Sequence, residues 1–232
     1  MGGKLLALLS EGPRLIVSLP QNSPELACAA ADGGADALKV HSNVRHEASG
    51  TKFGSLAEER ENLEAILAIG LPTGIVPGTA ECLPSRDDMR QLAAMGVDFF
   101  DLYVHDMPAW MSCLESMTRT AAIGPDTPLA AIPFLGKFGF ELIEAAVIPH
   151  EGYGQPLSVA DLMTYRRIRE ATELPIIVPT QRAMTPEDAT VLVEKCGIQA
   201  VMIGVIVTGR EAESVRAATA EFAAALERLH RR

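Results

Sequence analysis

The sequence predicts one α/β domain, a (β/α)8 or TIM barrel made of two similar half-barrels. Eight short segments rich in Ile, Val and Ala alternate with eight segments that have helical caps and periodicity. Alternating strands and helices give a parallel sheet, and strands without clean polar alternation suit a sheet covered on both faces. Eight of each fit a single barrel over residues 1–232. An open doubly wound sheet is the alternative, but no G-x-G-x-x-G motif follows any strand.

Turn and cap residues delimit the predicted elements. Ser23 precedes Pro24 at a first helical position, where a missing N–H costs nothing. Thr185 precedes Pro186 in the same way, and glycines end several helices. The predicted strands are residues 14–19, 36–43, 73–77, 97–104, 119–123, 141–148, 175–178 and 200–207. The predicted helices are residues 23–33, 55–69, 86–95, 107–117, 127–139, 158–172, 185–197 and 211–229.

An internal repeat supports the two half-barrels. The segment His46-Glu47-Ala48-Ser49-Gly50 recurs 104 residues later as His150-Glu151-Gly152-Tyr153-Gly154. Each copy precedes a serine that starts a helix, and a Leu-Pro pair begins sixteen residues after each serine. Further matches have offsets between 101 and 105 residues. Such self-similarity indicates a repeated structural unit, with halves at about residues 10–117 and 118–232.

The composition narrows the classes of partner. Lys and Arg total 20 against 30 acidic residues, so the net charge is −10. This balance argues against nucleic acid and anionic membrane surfaces, which both need a basic footprint. No window of 18 apolar residues predicts a membrane span, and four scattered cysteines without a C-x-x-C motif indicate reduced thiols. We expect a cytoplasmic protein; a homo-oligomer stays open, since no feature decides the subunit count.

Three charged residues interrupt the apolar strands. Lys39, Asp101 and Glu144 each lie five residues after a glycine that ends a helix. Because side chains alternate along a strand, all three should point into the barrel while their neighbours face the helices. A charge there is costly unless it is paired, so Lys39 and Glu144 should meet, with Asp101 nearby. This group is an acid–base candidate, although a purely structural ion pair would look the same in sequence.

Histidines and the repeated motif add further catalytic candidates. In this fold the active site lies at the carboxyl ends of the strands, so both His-Glu motifs should face one opening, from strands on opposite sides of the ring. His41 and His105 lie closer to that opening than Lys39 and Asp101, and imidazoles are the natural proton carriers at neutral pH. The repeat adds His150 and Glu151 to the predicted catalytic residues.

Two parts of the chain are predicted to hold an anion. The first is formed by the loops after strands seven and eight, which are the usual phosphate site of this fold. Here these loops contain Gln181, Arg182, Gly204, Thr208 and Gly209. The alternative is that Gly204 only permits close packing and that Arg182 lies in solvent.

The second predicted anion site is the loop of residues 48–54. It could close over the substrate, with Ser49, Thr51 and Lys52 donating to an anion, or it could simply be mobile. His46, Glu47, His150 and Glu151 are also metal-type ligands, but no two have the helical spacing of a zinc enzyme. We expect neither a metal nor another cofactor.

The second half resembles a known superfamily. The matching residues are Leu174-Pro175-Ile176-Ile177-Val178, Arg182, Thr185-Pro186-Glu187-Asp188-Ala189 and Ala200-Val201-Met202-Ile203-Gly204. In these segments, about a third of the chain and partly generic to the fold, it resembles the ribulose-phosphate-binding barrels, nearest to the N-acetylmannosamine-6-phosphate 2-epimerases. The resemblance implies a (β/α)8 fold and a phosphorylated ligand.

The chain departs from the epimerase pattern at two positions. The epimerases have an acidic residue within an Ala-Glu-Gly-Arg run, where this chain has Pro179-Thr180-Gln181-Arg182. They also carry a lysine after strand three, where this chain reads Val76-Pro77-Gly78-Thr79. Both proton-transfer groups of that family are therefore missing, and the resemblance does not imply the same residues for the same epimerisation.

We therefore predict an enzyme that acts on a small phosphorylated or otherwise anionic metabolite by acid–base isomerisation or epimerisation, or by carbon–carbon bond chemistry beside a carbonyl. Lys39 or His41 would transfer protons with Glu144, while Arg182 and Lys52 hold the anion. Two alternatives stay open. One is a Schiff-base aldolase or lyase that uses Lys39 as its nucleophile. The other is a barrel that binds a metabolite without catalysis.

Overall fold

Eight parallel strands close into a ring in the computed structural model, which describes residues 3–230. Each strand pairs with its neighbours along the chain, and the first pairs with the last. The strands are β1 Arg14–Ser18, β2 Ala37–His41, β3 Thr73–Val76, β4 Phe99–Tyr103, β5 Thr118–Ile123, β6 Leu142–Ala145, β7 Ile176–Pro179 and β8 Ala200–Ile203. The predicted (β/α)8 barrel is confirmed, and β2 and β6 lie on opposite sides of the ring.

Helical segments follow the strands on the outside. The α-helices are α1 Lys4–Glu11, α2 Pro24–Asp32, α3 Leu56–Leu67, α4 Arg86–Met95, α5 Val159–Glu170, α6 Pro186–Val191, α7 Val205–Thr208 and α8 Ala212–His230. Three 3-10 segments cover Ala109–Cys113, Leu129–Phe138 and His150–Gly152, and a π turn, Leu192–Cys196, extends α6. The predicted caps hold: Ser55, Ser158 and Thr185 each accept from a backbone N–H in a capping box.

Three elements differ from the sequence-based expectation. Strand eight was expected to run to residue 207, but the chain leaves the sheet at Gly204 and forms the short helix α7. The segment Leu129–Phe138 is a 3-10 helix, and Pro133 within it has no N–H to donate. Helix α1 was not predicted at all. The half-barrel repeat over residues 10–117 and 118–232 stays a prediction, and residues 1–2 and 231–232 of the expected single domain lie outside the described part of the chain.

The interior of the barrel is filled in layers. In such barrels a layer takes its side chains from alternate strands. The deepest layer is apolar and contains Ala37, Phe99, Leu142 and Ala200 from the even-numbered strands. Leu5 and Leu9 of α1 pack against this layer and are buried, so α1 plugs the amino-terminal end of the barrel. Gly74 leaves the room that Phe99 occupies, because a Cβ at position 74 would lie 2.0 Å from the Phe99 ring.

The outer faces of the strands form the second core. The residues predicted to face the helices do so: Leu38, Val40, Phe100, Leu102, Ile143 and Ala145 all belong to the buried cluster between strands and helices. Lys39, Asp101 and Glu144 alternate with them and therefore point inward. Among residues 3–230 there is no helix with the length and hydropathy that a membrane crossing requires.

Candidate active site

A cavity of about 770 Å³ opens at the carboxyl ends of the strands. Every strand contributes to its wall, and the lining includes one inward-facing residue from each: Ser18, Lys39, Val76, Asp101, Ala122, Glu144, Pro179 and Met202. The cavity therefore occupies the position at which (β/α)8 barrels carry their active sites. It is also within the size range of pockets that bind small metabolites.

Three charged side chains meet at the base of this cavity. The Lys39 ammonium donates to Asp101 Oδ2 at 2.7 Å and to Glu144 Oε2 at 2.5 Å. All three side chains are at most 9% exposed. Asp101 Oδ1 is buried and has no hydrogen-bond partner among the described residues. A lysine has three N–H donors, so one of them stays available after the two ion pairs.

The charges of this group follow from its surroundings. Burial alone would lower the pKa of Lys39, but the carboxyl groups of Asp101 and Glu144 outweigh burial and raise it. Burial, followed by the charge of Asp101, raises the pKa of Glu144 well above its usual range, although Lys39 opposes this. Lys39 is therefore a cation at neutral pH, and Glu144 binds a proton more readily than an exposed carboxyl group does.

His41 lies one layer above Lys39 on β2. Its ring packs between His46 and Phe53, with 4.7 Å between ring centroids in each case. It is 1% exposed, and its Nδ1 has no partner among the described residues. Burial, with the nearby His46 and Lys39, lowers the pKa of His41 well below 6.5. The buried ring is therefore uncharged at neutral pH, and its expected role as a proton carrier stays a prediction.

His46 lines the same cavity and is held by its own loop. Its Nδ1 lies 3.1 Å from Ser49 Oγ and accepts the Ser49 backbone N–H at 3.2 Å. Burial, followed by the charge of Lys39, lowers the pKa of His46 to about 4. Both histidines next to Lys39 are therefore uncharged at pH 7.

The second His-Glu motif is placed differently from the first. His150 begins a 3-10 turn at the rim, where it is exposed and lies 5.0 Å from the Tyr153 ring. Glu151 is exposed and is not among the residues that line the cavity. His105 is also at the rim, 66% exposed and stacked on Tyr103. The two motifs therefore do not present equivalent groups to the cavity.

The predicted anion site is not formed as expected. Arg182 donates to Asp161 Oδ1 and to the Gly152 carbonyl, each at 2.9 Å, and it does not line the cavity. Its guanidinium is therefore bound to the protein itself. Although burial raises it, the pKa of the Asp161 carboxyl is lowered overall by the bonds from Arg182 and Ser158. Asp161 in the first turn of α5 and Arg182 just after β7 thus form a structural ion pair.

Of the other ligand residues predicted after strands seven and eight, two line the cavity and two do not. Gln181 lines the cavity, accepts the Ile148 N–H at 3.1 Å and donates to the Tyr153 hydroxyl at 2.7 Å. Gly204 also lines the cavity, and its N–H donates to Thr180 Oγ1 at 2.9 Å. Thr208 and Gly209 end α7 and lie away from the cavity lining.

The loop predicted to close over an anion is instead bound to its neighbours. Ser49 and Thr51 are engaged by Arg210, which donates to the Ser49 carbonyl and lies 3.5 Å from Thr51 Oγ1. Lys52 is exposed, and none of Ser49, Thr51 and Lys52 lines the cavity. Their expected role as direct anion donors has no support in this geometry, because the polar atoms face the loop itself.

Sequence reasoning overlooked several residues of the wall, among them Tyr103 and Arg45. Tyr103 lies two positions after Asp101 on β4, so the alternation that placed Asp101 could also have placed Tyr103. Burial raises the pKa of Tyr103 strongly, so its hydroxyl stays protonated. Arg45 lines the rim and follows no such pattern. Within the described range 3–230, no three His, Cys, Asp or Glu side chains are placed to hold a metal ion.

Comparison with known proteins identifies similar folds. No protein-family model and no curated protein sequence matches the chain. A tryptophan synthase structure from Mycobacterium tuberculosis aligns with a TM-score of 0.76 at 16% identity, covering 97% of this chain and 99% of that chain. KGPDC from Streptococcus mutans, solved in complex with a small phosphorylated compound, aligns with a TM-score of 0.69 at 14% identity, covering 93% and 98%.

A third similar structure is a mutant tryptophan synthase alpha-subunit from the hyperthermophile Pyrococcus furiosus. Its TM-score is 0.67 at 15% identity, with 91% of this chain and 97% of that chain covered. At such identities the likeness concerns the (β/α)8 fold alone. The resemblance to the ribulose-phosphate-binding barrels, and among them to the N-acetylmannosamine-6-phosphate 2-epimerases, stays a prediction.

Proposed function

We propose that this chain is an enzyme that transfers a proton at a carbon next to the carbonyl group of a small metabolite, in an isomerisation or epimerisation. One observation carries the proposal: the Lys39 ammonium is bonded to two carboxyl groups beneath an open cavity. An ammonium group between two carboxyl groups supplies the proton acceptor, the proton donor and the positive charge that an enolisation needs.

The roles follow from the charges. Asp101 has a buried, unpartnered oxygen, so it is the base that takes the proton from carbon. Glu144, whose pKa is raised, gives a proton to the carbonyl oxygen, which yields a neutral enediol. The free N–H of Lys39 stabilises the negative charge that develops on that oxygen before the proton arrives. In an isomerisation, Asp101 then gives its proton to the former carbonyl carbon and Glu144 takes the proton of the neighbouring hydroxyl. In an epimerisation, the enediol turns its opposite face to Asp101, and Glu144 takes back the proton that it gave.

The same charges disfavour the Schiff-base alternative. A lysine nucleophile must lose its proton, and such lysines are usually desolvated or placed near another cation. Lys39 is desolvated, but two carboxyl groups raise its pKa and keep it charged. Electrostatic stabilisation by Lys39 therefore fits the site better than covalent catalysis.

The substrate class is less constrained than the reaction. KGPDC, which has a similar fold, was solved with a small phosphorylated compound, and this supports a phosphorylated substrate here. The charged residues of the cavity lining are mainly acidic, however: Glu47, Glu81 and Asp106 outnumber Arg45 beside the central group. A hydroxy-carbonyl compound with at most one phosphate suits this balance better than a polyanion.

Proton exchange with solvent tests the proposal. Purified protein is incubated in D2O with D-ribulose-5-phosphate and a panel of phosphorylated and unphosphorylated aldoses and ketoses, and loss of the C–H signal next to the carbonyl is followed by NMR. We expect exchange with at least one compound. Glu144→Gln and Asp101→Asn should abolish it, whereas Glu64→Gln, which alters an exposed carboxyl on α3, should not.

The non-catalytic alternative predicts a different outcome. If the three charges only stabilise the barrel, a compound from the panel would bind without exchange. Replacing Lys39 and Glu144 together by apolar residues would then leave binding unchanged. Binding is measured by calorimetry, and circular dichroism verifies that each variant is folded.

A further inference from the structure

The hydrogen bonds around His46 fix which of its nitrogens carries a proton. The backbone N–H of Ser49 always donates, and it points at His46 Nδ1 over 3.2 Å. An Nδ1 that accepts this bond has no hydrogen of its own. When the ring is neutral its proton is therefore on Nε2, and Ser49 Oγ, 3.1 Å from Nδ1, can donate to the same atom.

The loop that carries Ser49 is rigidly closed around this arrangement. The His46 N–H bonds to the Thr51 carbonyl at 2.9 Å, and the Gly50 N–H bonds to the His46 carbonyl at 2.7 Å. Ser49 Oγ accepts from the Thr51 N–H at 3.2 Å, and Arg210 donates to the Ser49 carbonyl. Ser49 is 6% exposed. The Ser49 backbone N–H, which fixes the His46 tautomer, is thus held in place by the bonds within the loop and by Arg210.

The groups facing His46 also keep it uncharged. His41 lies edge-on at 4.7 Å between ring centroids, and the Phe53 ring is at 6.5 Å. The Lys39 cation lies below and repels a second positive charge, in addition to the effect of burial. A protonated ring would also carry a hydrogen on Nδ1, which faces the Ser49 N–H. The hydrogen bond from Ser49 to Nδ1 would then be lost.

We infer that His46 is a catalytic residue that acts as a neutral hydrogen-bond donor, through Nε2–H, to the oxygen of a substrate carbonyl, and that Ser49 is its positioning residue. The inference rests on the proposed function, because His46 and Lys39 line the same cavity. A neutral imidazole can polarise a carbonyl without passing on its proton. The substrate class this selects is a carbonyl compound whose oxygen accepts from both Lys39 and His46 as it gains negative charge on the way to the enediol.

Two substitutions separate a donor from a proton carrier. His46→Gln keeps an N–H group but cannot carry a proton, whereas His46→Phe keeps only the ring volume. For a donor, we expect the Phe variant to lose about 100-fold in kcat/KM for exchange, as when one donor to a developing oxyanion is removed. The Gln variant should stay within about 10-fold of the wild type. Equal losses in both variants would overturn the inference.

NMR of the full chain with 15N-labelled histidine gives a readout that does not depend on turnover. We expect a proton on Nε2 only, and Ser49→Ala should raise the population of the other tautomer. A proton on Nδ1 of the wild type would overturn the inference even if both variants folded poorly. If the wild type exchanges no compound of the panel, the proposed function fails by itself. The Nε2–H resonance then decides: a shift on adding D-ribulose-5-phosphate supports the donor role, and no shift refutes it.

Discussion

Replacing His46 by glutamine should remove a defined part of the pH dependence of stability. The neutral ring in the folded protein has a pKa of about 4, while the unfolded chain has the ordinary value of 6.5. Between these values the unfolded state binds a proton that the folded state does not. His46 therefore contributes stability that is fully present above pH 6.5 and is lost as the pH falls toward 4.

The size of this contribution follows from the same two values. The window spans roughly 2.5 pH units, and each is worth about 1.4 kcal/mol, so roughly 3 kcal/mol is lost by pH 4 and about 2 kcal/mol by pH 5. His41 adds an effect of the same sign, since its pKa is also lowered. Glu144 acts in the opposite direction, because its raised pKa favours the folded state at low pH. The variant retains both groups and alters only the smaller effect of His46 on the pKa of His41, so the difference between the two proteins reports mainly His46.

Urea unfolding at pH 7 and pH 5 measures this difference. We expect the free energy of unfolding of the wild type to fall by about 2 kcal/mol more than that of His46→Gln over this interval. For a chain of this size, that difference equals roughly 4–8 °C in Tm. Parallel pH profiles for the two proteins would refute the argument, because they would mean that the His46 ring titrates normally in the folded state.

Three further substitutions test the architecture of the site. Lys39→Met should abolish exchange and lower the free energy of unfolding by about 3–5 kcal/mol at pH 8. The loss should be smaller at pH 5, because protons can then replace the missing ammonium beside the two carboxyl groups. Equal losses at both pH values would contradict this. Arg182→Leu should cost roughly 3 kcal/mol in urea unfolding through the buried Asp161 and leave the KM for a phosphorylated compound unchanged, whereas a raised KM would restore its predicted anion-binding role. Leu5→Ala should cost about 2–5 kcal/mol without changing kcat, since Leu5 plugs the far end of the barrel.

The sequence was sufficient to predict the parts of the site that depend on backbone periodicity. Alternation along a strand fixes which side chains face inward, and the spacing from a helix-ending glycine fixes the layer. Lys39, Asp101 and Glu144 could therefore be placed together from the sequence.

The loops could not be predicted in the same way. A long side chain such as that of Arg182 can reach several partners, and its partner Asp161 reads in sequence only as a helix-capping residue. The apolar residues after Gly204 have high strand propensity, yet they form α7 once the chain leaves the sheet. The bond between Ser49 and His46 depends on the fold of one loop, which no period describes.

The position of the charged layer favours chemistry over structure as the reason for its presence. Replacing a buried ion pair by well-packed apolar residues is often neutral or stabilising, and the deepest layer of this barrel, with Ala37 and Phe99, is entirely apolar. The charges occur only where the barrel meets the cavity, and Asp101 keeps an unpartnered oxygen that costs roughly 1–3 kcal/mol. Because the two carboxyl groups that flank Lys39 also keep it charged, the arrangement selects proton transfer beside a carbonyl rather than attack by an amine.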